Sequence, residues 1–96
     1  GQDVSVLASD ELFATATRLL ANDRAAEAID AWEALLKRSL GPQVAAQARF
    51  NLGLSYLAAE EYEKAAESME LIARDALTPE MSRRASEVRY QCRRKI

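Results

Sequence analysis

Glu60, Glu61, Glu63, Glu67 and Glu70 form the densest cluster of groups that could do chemistry. Paired carboxylates can serve as general acid and base or hold a hard cation. These glutamates, however, fall at ordinary helical spacing around Lys64 and lack the Gly-containing loop that a calcium site needs, so they read as an acidic solvated face. The chain has no histidine, which removes the commonest general base and metal ligand. Its single cysteine, Cys92, can build neither a zinc site nor an internal disulfide, and leaves the redox compartment open. Cys92 shares an apolar stripe with Met81, Ala85 and Val88, so a buried, inert thiol is expected. Glycines at positions 1, 41 and 53 cannot form a phosphate-cradling loop. No catalytic residue, metal site or cofactor is expected, and the chain is not read as an enzyme.

The elements that position these residues are helices. Ninety-six residues, 49% hydrophobic and 29% charged, fit one small domain. Ala, Leu, Glu, Arg and Lys dominate, and Gly and Pro are few. No apolar run reaches the roughly 18 residues of a membrane-spanning helix. The chain opens Gly1-Gln2-Asp3 without Met, which reads as a processed product or an excised piece of a longer protein.

Residues 1–8 lack a helical period and read as an extended or disordered arm. Ser9 is the expected N-cap of a first helix, about Asp10–Ala21, with Leu12, Phe13, Ala16, Leu19 and Leu20 inward. Asn22-Asp23 turns the chain, with Asp23 expected to cap a second helix that buries Ala25, Ala28, Ile29, Trp32, Leu35 and Leu36. Lys37 and Arg38 are expected in its last turn. Gly41-Pro42 starts a third helix that runs to about Ala59, and Glu60-Glu61 is a second tight turn. A fourth helix covers roughly Tyr62–Asp75, and Thr78-Pro79 begins a fifth. The expected fold is all-α, a right-handed stack of antiparallel helix pairs with five helices.

A self-match at an offset of 37 joins these elements. It lays Ala28-x-x-x-Trp32 over Ala65-x-x-x-Met69, Ala16 over Gly53, Phe13 over Phe50 and Pro42 over Pro79. Leu52-Gly53-x-x-Tyr56 followed by Ala65-x-x-x-Met69 resembles one repeat of the tetratricopeptide repeat (TPR) family. Gly53 and Ala65 would let two helices approach while Tyr56 and Met69 fill the space beside them. The match departs from the family at Arg49, where Trp is usual, at Thr15, where Leu is usual, and in its period of 37 rather than about 34. Repeat one is placed at 9–41, repeat two at 42–78, and a capping helix at 79–96. The longer period resembles TPR-like modules of bacterial envelope proteins, such as outer-membrane assembly lipoproteins; that leaves the location open between bacterial cytoplasm and periplasm or envelope.

The resemblance implies a function, holding other proteins, and a place for it, a concave groove lined by the first helix of each repeat. Carried onto this sequence, the partner-binding residues would be Phe13, Thr17 and Leu20 on the first helix, Phe50, Asn51, Leu54 and Leu57 on the third, and Arg84 and Val88 on the fifth. Such a wall, apolar in its middle, suits a helical or extended segment of a partner within a larger bacterial assembly. Phe13 and Phe50 could alternatively belong to the core. A clamp for a peptide's C-terminal carboxylate is not expected, because Phe13, Thr17 and Val88 occupy three of its places. Homodimerisation through the same wall is the competing reading.

Charge separates the last helix from the rest. Residues 79–96 carry six basic and two acidic groups, while the preceding 78 carry seven basic and thirteen acidic. A solvated cap with cations near its C-terminal carbonyls explains this first, and an acidic partner second. A nucleic-acid accessory role ranks third, since the arginines are spread around the helix and only Tyr90 could stack.

Overall fold

The computed structural model describes residues 6–96, which form five helices in the order α1 (Ser9–Ala21), α2 (Ala25–Leu36), α3 (Pro42–Ala58), α4 (Tyr62–Asp75) and α5 (Pro79–Lys95). Each helix packs mainly on its chain neighbours, and α3 also touches α1 and α5. The extents of 37 × 26 × 18 Å describe a slab about two helices thick, given helix diameters of roughly 10 Å. The chain is thus an all-α stack of helix pairs in which neighbouring layers share the core. Of the N-terminal arm, Leu7 packs against the first core cluster; residues 1–5 lie outside the described residues.

The two pairs turn in the same way. Asp23 (φ 61°) and Glu60 (φ 63°) both adopt the left-handed conformation, and they stand 37 positions apart. After α1, the Arg24 N–H donates to Leu19 O at 2.9 Å and the Asp23 N–H to Leu20 O at 3.4 Å. After α3, the Glu61 N–H donates to Tyr56 O at 2.9 Å and the Glu60 N–H to Leu57 O at 3.0 Å. This is the Schellman pattern, which satisfies the last carbonyls of one helix while reversing the chain. Glycine usually fills the left-handed place because a side chain there costs roughly 1 kcal/mol or more. Glu60→Gly should therefore raise stability by about 1 kcal/mol in a urea melt; a loss of stability would mean that the glutamate side chain holds the turn.

Capping differs from expectation at two helices. Ala8, not Ser9, is the N-cap of α1, and Ser9 Oγ instead accepts from Arg38 Nη1 at 3.3 Å. Asp23 does not cap α2, because its left-handed backbone belongs to the turn; Arg24 is the N-cap, and its side chain pairs with Glu27 at 2.8 Å. Lys37 is the C-cap of α2, with Arg38 just beyond, so the two cations follow the last turn rather than forming it. Thr78 caps α5 as its position predicts, accepting from the Met81 N–H at 3.1 Å. Ser82 Oγ also donates to Ala73 O at 2.8 Å, tying the start of α5 to the end of α4.

Three apolar clusters run through the stack. The first joins Leu12 and Ala16 of α1 to Ala28, Trp32 and Leu35 of α2 and Ala48 of α3. The second joins Phe50 to Met69 and Ile72 of α4 and Ala85 of α5. The third sets Cys92 against Ala65 and Ala66. The small residues act as the repeat pattern requires. A Cβ on Gly53 would stand 2.6 Å from the terminal methyl of Met69, so α3 and α4 meet there as closely as a glycine permits.

Candidate functional site

Helix periodicity places Phe13, Thr17 and Leu20 along one side of α1, and Asn51 and Leu54 along one side of α3. The fold divides the nine candidate residues by what covers them. Phe13 and Leu20 are half-buried and pack against the first cluster, where the Phe13 ring meets Trp32 edge to face at 5.0 Å and 83°. Thr17 is exposed, and its hydroxyl donates to Phe13 O at 2.9 Å, which leaves its oxygen able only to accept from a partner. Asn51 Oδ1 accepts from Gln47 Nε2 at 3.0 Å, so the Asn51 amide nitrogen keeps its capacity to donate outward.

Around α5 the picture tightens. Leu54 and Val88 pack half-buried against the second cluster, and Leu57 joins Val88 at the third. Phe50 is not a surface residue. Its ring is 2% exposed, in contact with the second cluster and covered by the Arg84 guanidinium 4.8 Å from the ring centroid. The core alternative is therefore the one Phe50 follows, and the surface that remains is the arginine above it. Cation and ring attract through the ring's quadrupole, so Phe50 positions Arg84 instead of meeting a partner itself.

A cleft of about 600 Å³ opens between the start of α1 and the start of α3. Phe13, Leu40 and Val44 form its apolar lining, with Asp10 and Gln47 among its polar groups. Of the nine candidates only Phe13 reaches it. A second crevice, of about 480 Å³, lies between α3 and α4 and is lined in part by Arg49, Leu52, Leu71, Ile72 and Met81. Arg49 and Asn51 are two residues apart, roughly 200° around the helix, so this crevice lies across α3 from the Asn51 side. Sequence reasoning did not mark it, although a signal was present: the 37-residue offset sets Arg49 over Leu12, a cation over a core leucine.

The basic helix is partly neutralised within the chain. Arg89 and Arg93 approach the two carboxylate oxygens of Glu70 at 3.7 and 3.8 Å, and Arg94 lies 5.9 Å from the Tyr90 ring. These exposed pairs contribute little stability, yet they turn two of the arginines toward one carboxylate of α4. Cys92 is fully buried as expected, and burial pushes its thiol up from the ordinary range, against the smaller opposing effect of Arg93. Burial also raises Tyr56, helped by Glu33 and Glu61 and opposed by Lys64, whose ammonium lies 5.8 Å from the ring. Among the described residues no group of His, Cys, Asp and Glu could hold a metal ion, and no helix is long and apolar enough to cross a membrane.

A family model described as tetratricopeptide repeat matches residues 13–81, from the middle of α1 to the first turn of α5. Repeats of this family generally mediate protein–protein interaction, and the family is typically non-catalytic. No curated protein and no solved structure matches the chain. The matched span, the close approach at Gly53 and the turns repeated at Asp23 and Glu60 agree: the chain belongs to the tetratricopeptide repeat family.

Proposed function

We propose that this chain is an adaptor that holds a helical or extended segment of another protein on the face shared by α1, α3 and α5, within a larger bacterial assembly. The observation that carries the reading is the half-buried apolar row Phe13, Leu20, Leu54, Leu57 and Val88, edged by polar groups. Half-buried side chains are held in place by their own core and still present a surface, the condition for a preorganised wall. Asn51 supplies an outward amide donor, and Arg84, fixed over Phe50, supplies a cation. Apolar side chains of the partner would lie against Leu54 and Leu57, while Phe13 carries the wall on to the cleft beside Val44.

A phage-displayed library of random peptides tests this whatever the natural partner is. Enriched peptides should carry apolar anchors at helical or alternating spacing. Their binding should fall about tenfold or more on Leu54→Arg, the loss expected for a central contact, with the circular dichroism spectrum unchanged. Enrichment that survives both Leu54→Arg and Leu57→Arg would place binding elsewhere and overturn the reading.

A further inference from the structure

Several residues that line the crevice between α3 and α4 differ in kind from their counterparts in repeat one. The residue 37 positions before Arg49 is Leu12, which is fully buried and fills the corresponding place. The residues 37 before Ala46 and Asp75 are Ser9 and Arg38, and these two are joined by the 3.3 Å hydrogen bond that closes the first pair. In repeat two, Ala46 has no polar side chain to make that bond. Arg49 is exposed, and neither it nor Asp75 has an ion-pair partner among the described residues. What remains is an apolar floor of Leu52, Ile72 and Met81 with a cation and an anion at its rim. Leu71, 57% exposed, stands on the crevice wall, and Leu77, 55% exposed, follows Ala76 of its lining.

One face therefore carries a hole, a projecting leucine, an unpaired cation and an unpaired anion. A surface complementary to itself is the requirement of a two-fold interface, in which each feature is used twice. We propose that this face is the contact between two copies of the chain. Leu71 of each copy enters the crevice of the other, over Leu52 and Met81, and takes the part that Leu12 plays inside repeat one. Arg49 of each copy pairs with Asp75 of its partner. The contact is independent of the α1–α3–α5 wall, because Arg49 and Asn51 point to opposite sides of α3.

Sedimentation equilibrium over a wide concentration range tests the proposal on the chain as it stands. The wild type should approach twice its monomer mass, and Leu71→Glu should remain monomeric with an unchanged circular dichroism spectrum. Arg49→Asp and Asp75→Arg should each weaken self-association about tenfold or more. Mixed one to one, the two variants should restore a dimer, since the acidic pair of one then faces the basic pair of the other. Leu54→Arg should leave the dimer intact. A wild type that stays monomeric at about 1 mM, where even a contact with a Kd of about 1 mM is half formed, overturns the proposal. So does a dimer that survives Leu71→Glu or fails to return in the charge-reversed mixture.

Discussion

Trp32→Ala should cost about 3–5 kcal/mol, the range for deleting a large buried aromatic side chain. The indole is fully buried, and it ties three helices together: Leu12 and Ala16 of α1, Leu35 on its own helix and Ala48 of α3 share its cluster. Its loss also removes the edge-to-face partner of Phe13. A domain of this size holds roughly 5–15 kcal/mol in all, so the variant should be near its unfolding midpoint, or past it, at 37 °C. Urea denaturation followed at 222 nm should show a large fall in midpoint at unchanged slope. Trp32→Phe should cost much less. Trp32 Nε1 is buried with no hydrogen-bond partner among the described residues, and such an orphan donor costs about 1–3 kcal/mol, which phenylalanine would recover while giving up ring volume. A Trp32→Phe variant that loses as much as Trp32→Ala would show that the retained phenyl ring regains none of the packing.

Gly53→Leu is the second large effect expected, a loss of roughly 3 kcal/mol at the upper end for overpacking. Its Cβ would lie 2.6 Å from Met69 Cε and 3.5 Å from Ser68 Cβ, and Met69 is itself fully buried. The longer side chain would force α3 and α4 apart and open the second cluster. Gly53→Ala is a different case. The gain in helix propensity, about 1 kcal/mol, opposes the displacement of one flexible methyl group, so the net change should stay within about 1 kcal/mol. Combining Gly53→Leu with Met69→Ala should recover at least half the loss, because the volume added on one helix is removed from the other. Thermal melts of these variants decide it: an unrescued double variant would mean that backbone approach, not the methionine, limits the space.

The repeat lets these two substitutions be compared across layers. Ala16 occupies the place of Gly53, and Trp32 that of Met69. Repeat one accommodates a Cβ opposite a rigid indole, whereas repeat two omits it opposite a flexible thioether. The same small-against-large rule is satisfied in both, with the volume divided differently between the helices.

Much of the fold is legible in residue order alone. The three-and-four spacing of Leu12, Ala16 and Leu19 marks the inner face of α1, and Thr78-Pro79 marks the start of α5 where Thr78 does cap it. Ser9 and Asp23 depart from their expected capping roles for a physical reason. A polar residue ahead of a helix can accept from that helix, bond a distant partner, or lend its backbone to the previous helix's end. Ser9 does the second, toward Arg38, and Asp23 the third. Local sequence gives no energy by which to choose among them. The candidate wall is legible as a set of helix faces but not as a surface, since Phe50 is closed over by Arg84, 34 positions further along the chain.

The sequence by itself determined the helices, their order, their pairing at a 37-residue period and the small-against-large contacts between them. These follow from residue type and periodicity, which act within a few turns and repeat wherever the pattern does. Tertiary structure decided which apolar residues stay in water and which charges meet. It buried Phe50, left Leu71 and Leu77 exposed, opened a crevice beside Arg49 and brought Arg89 and Arg93 to Glu70. A helical stripe specifies the direction a side chain takes from its axis. Whether anything waits there depends on where the next helix lies, and that is fixed by packing across the whole stack.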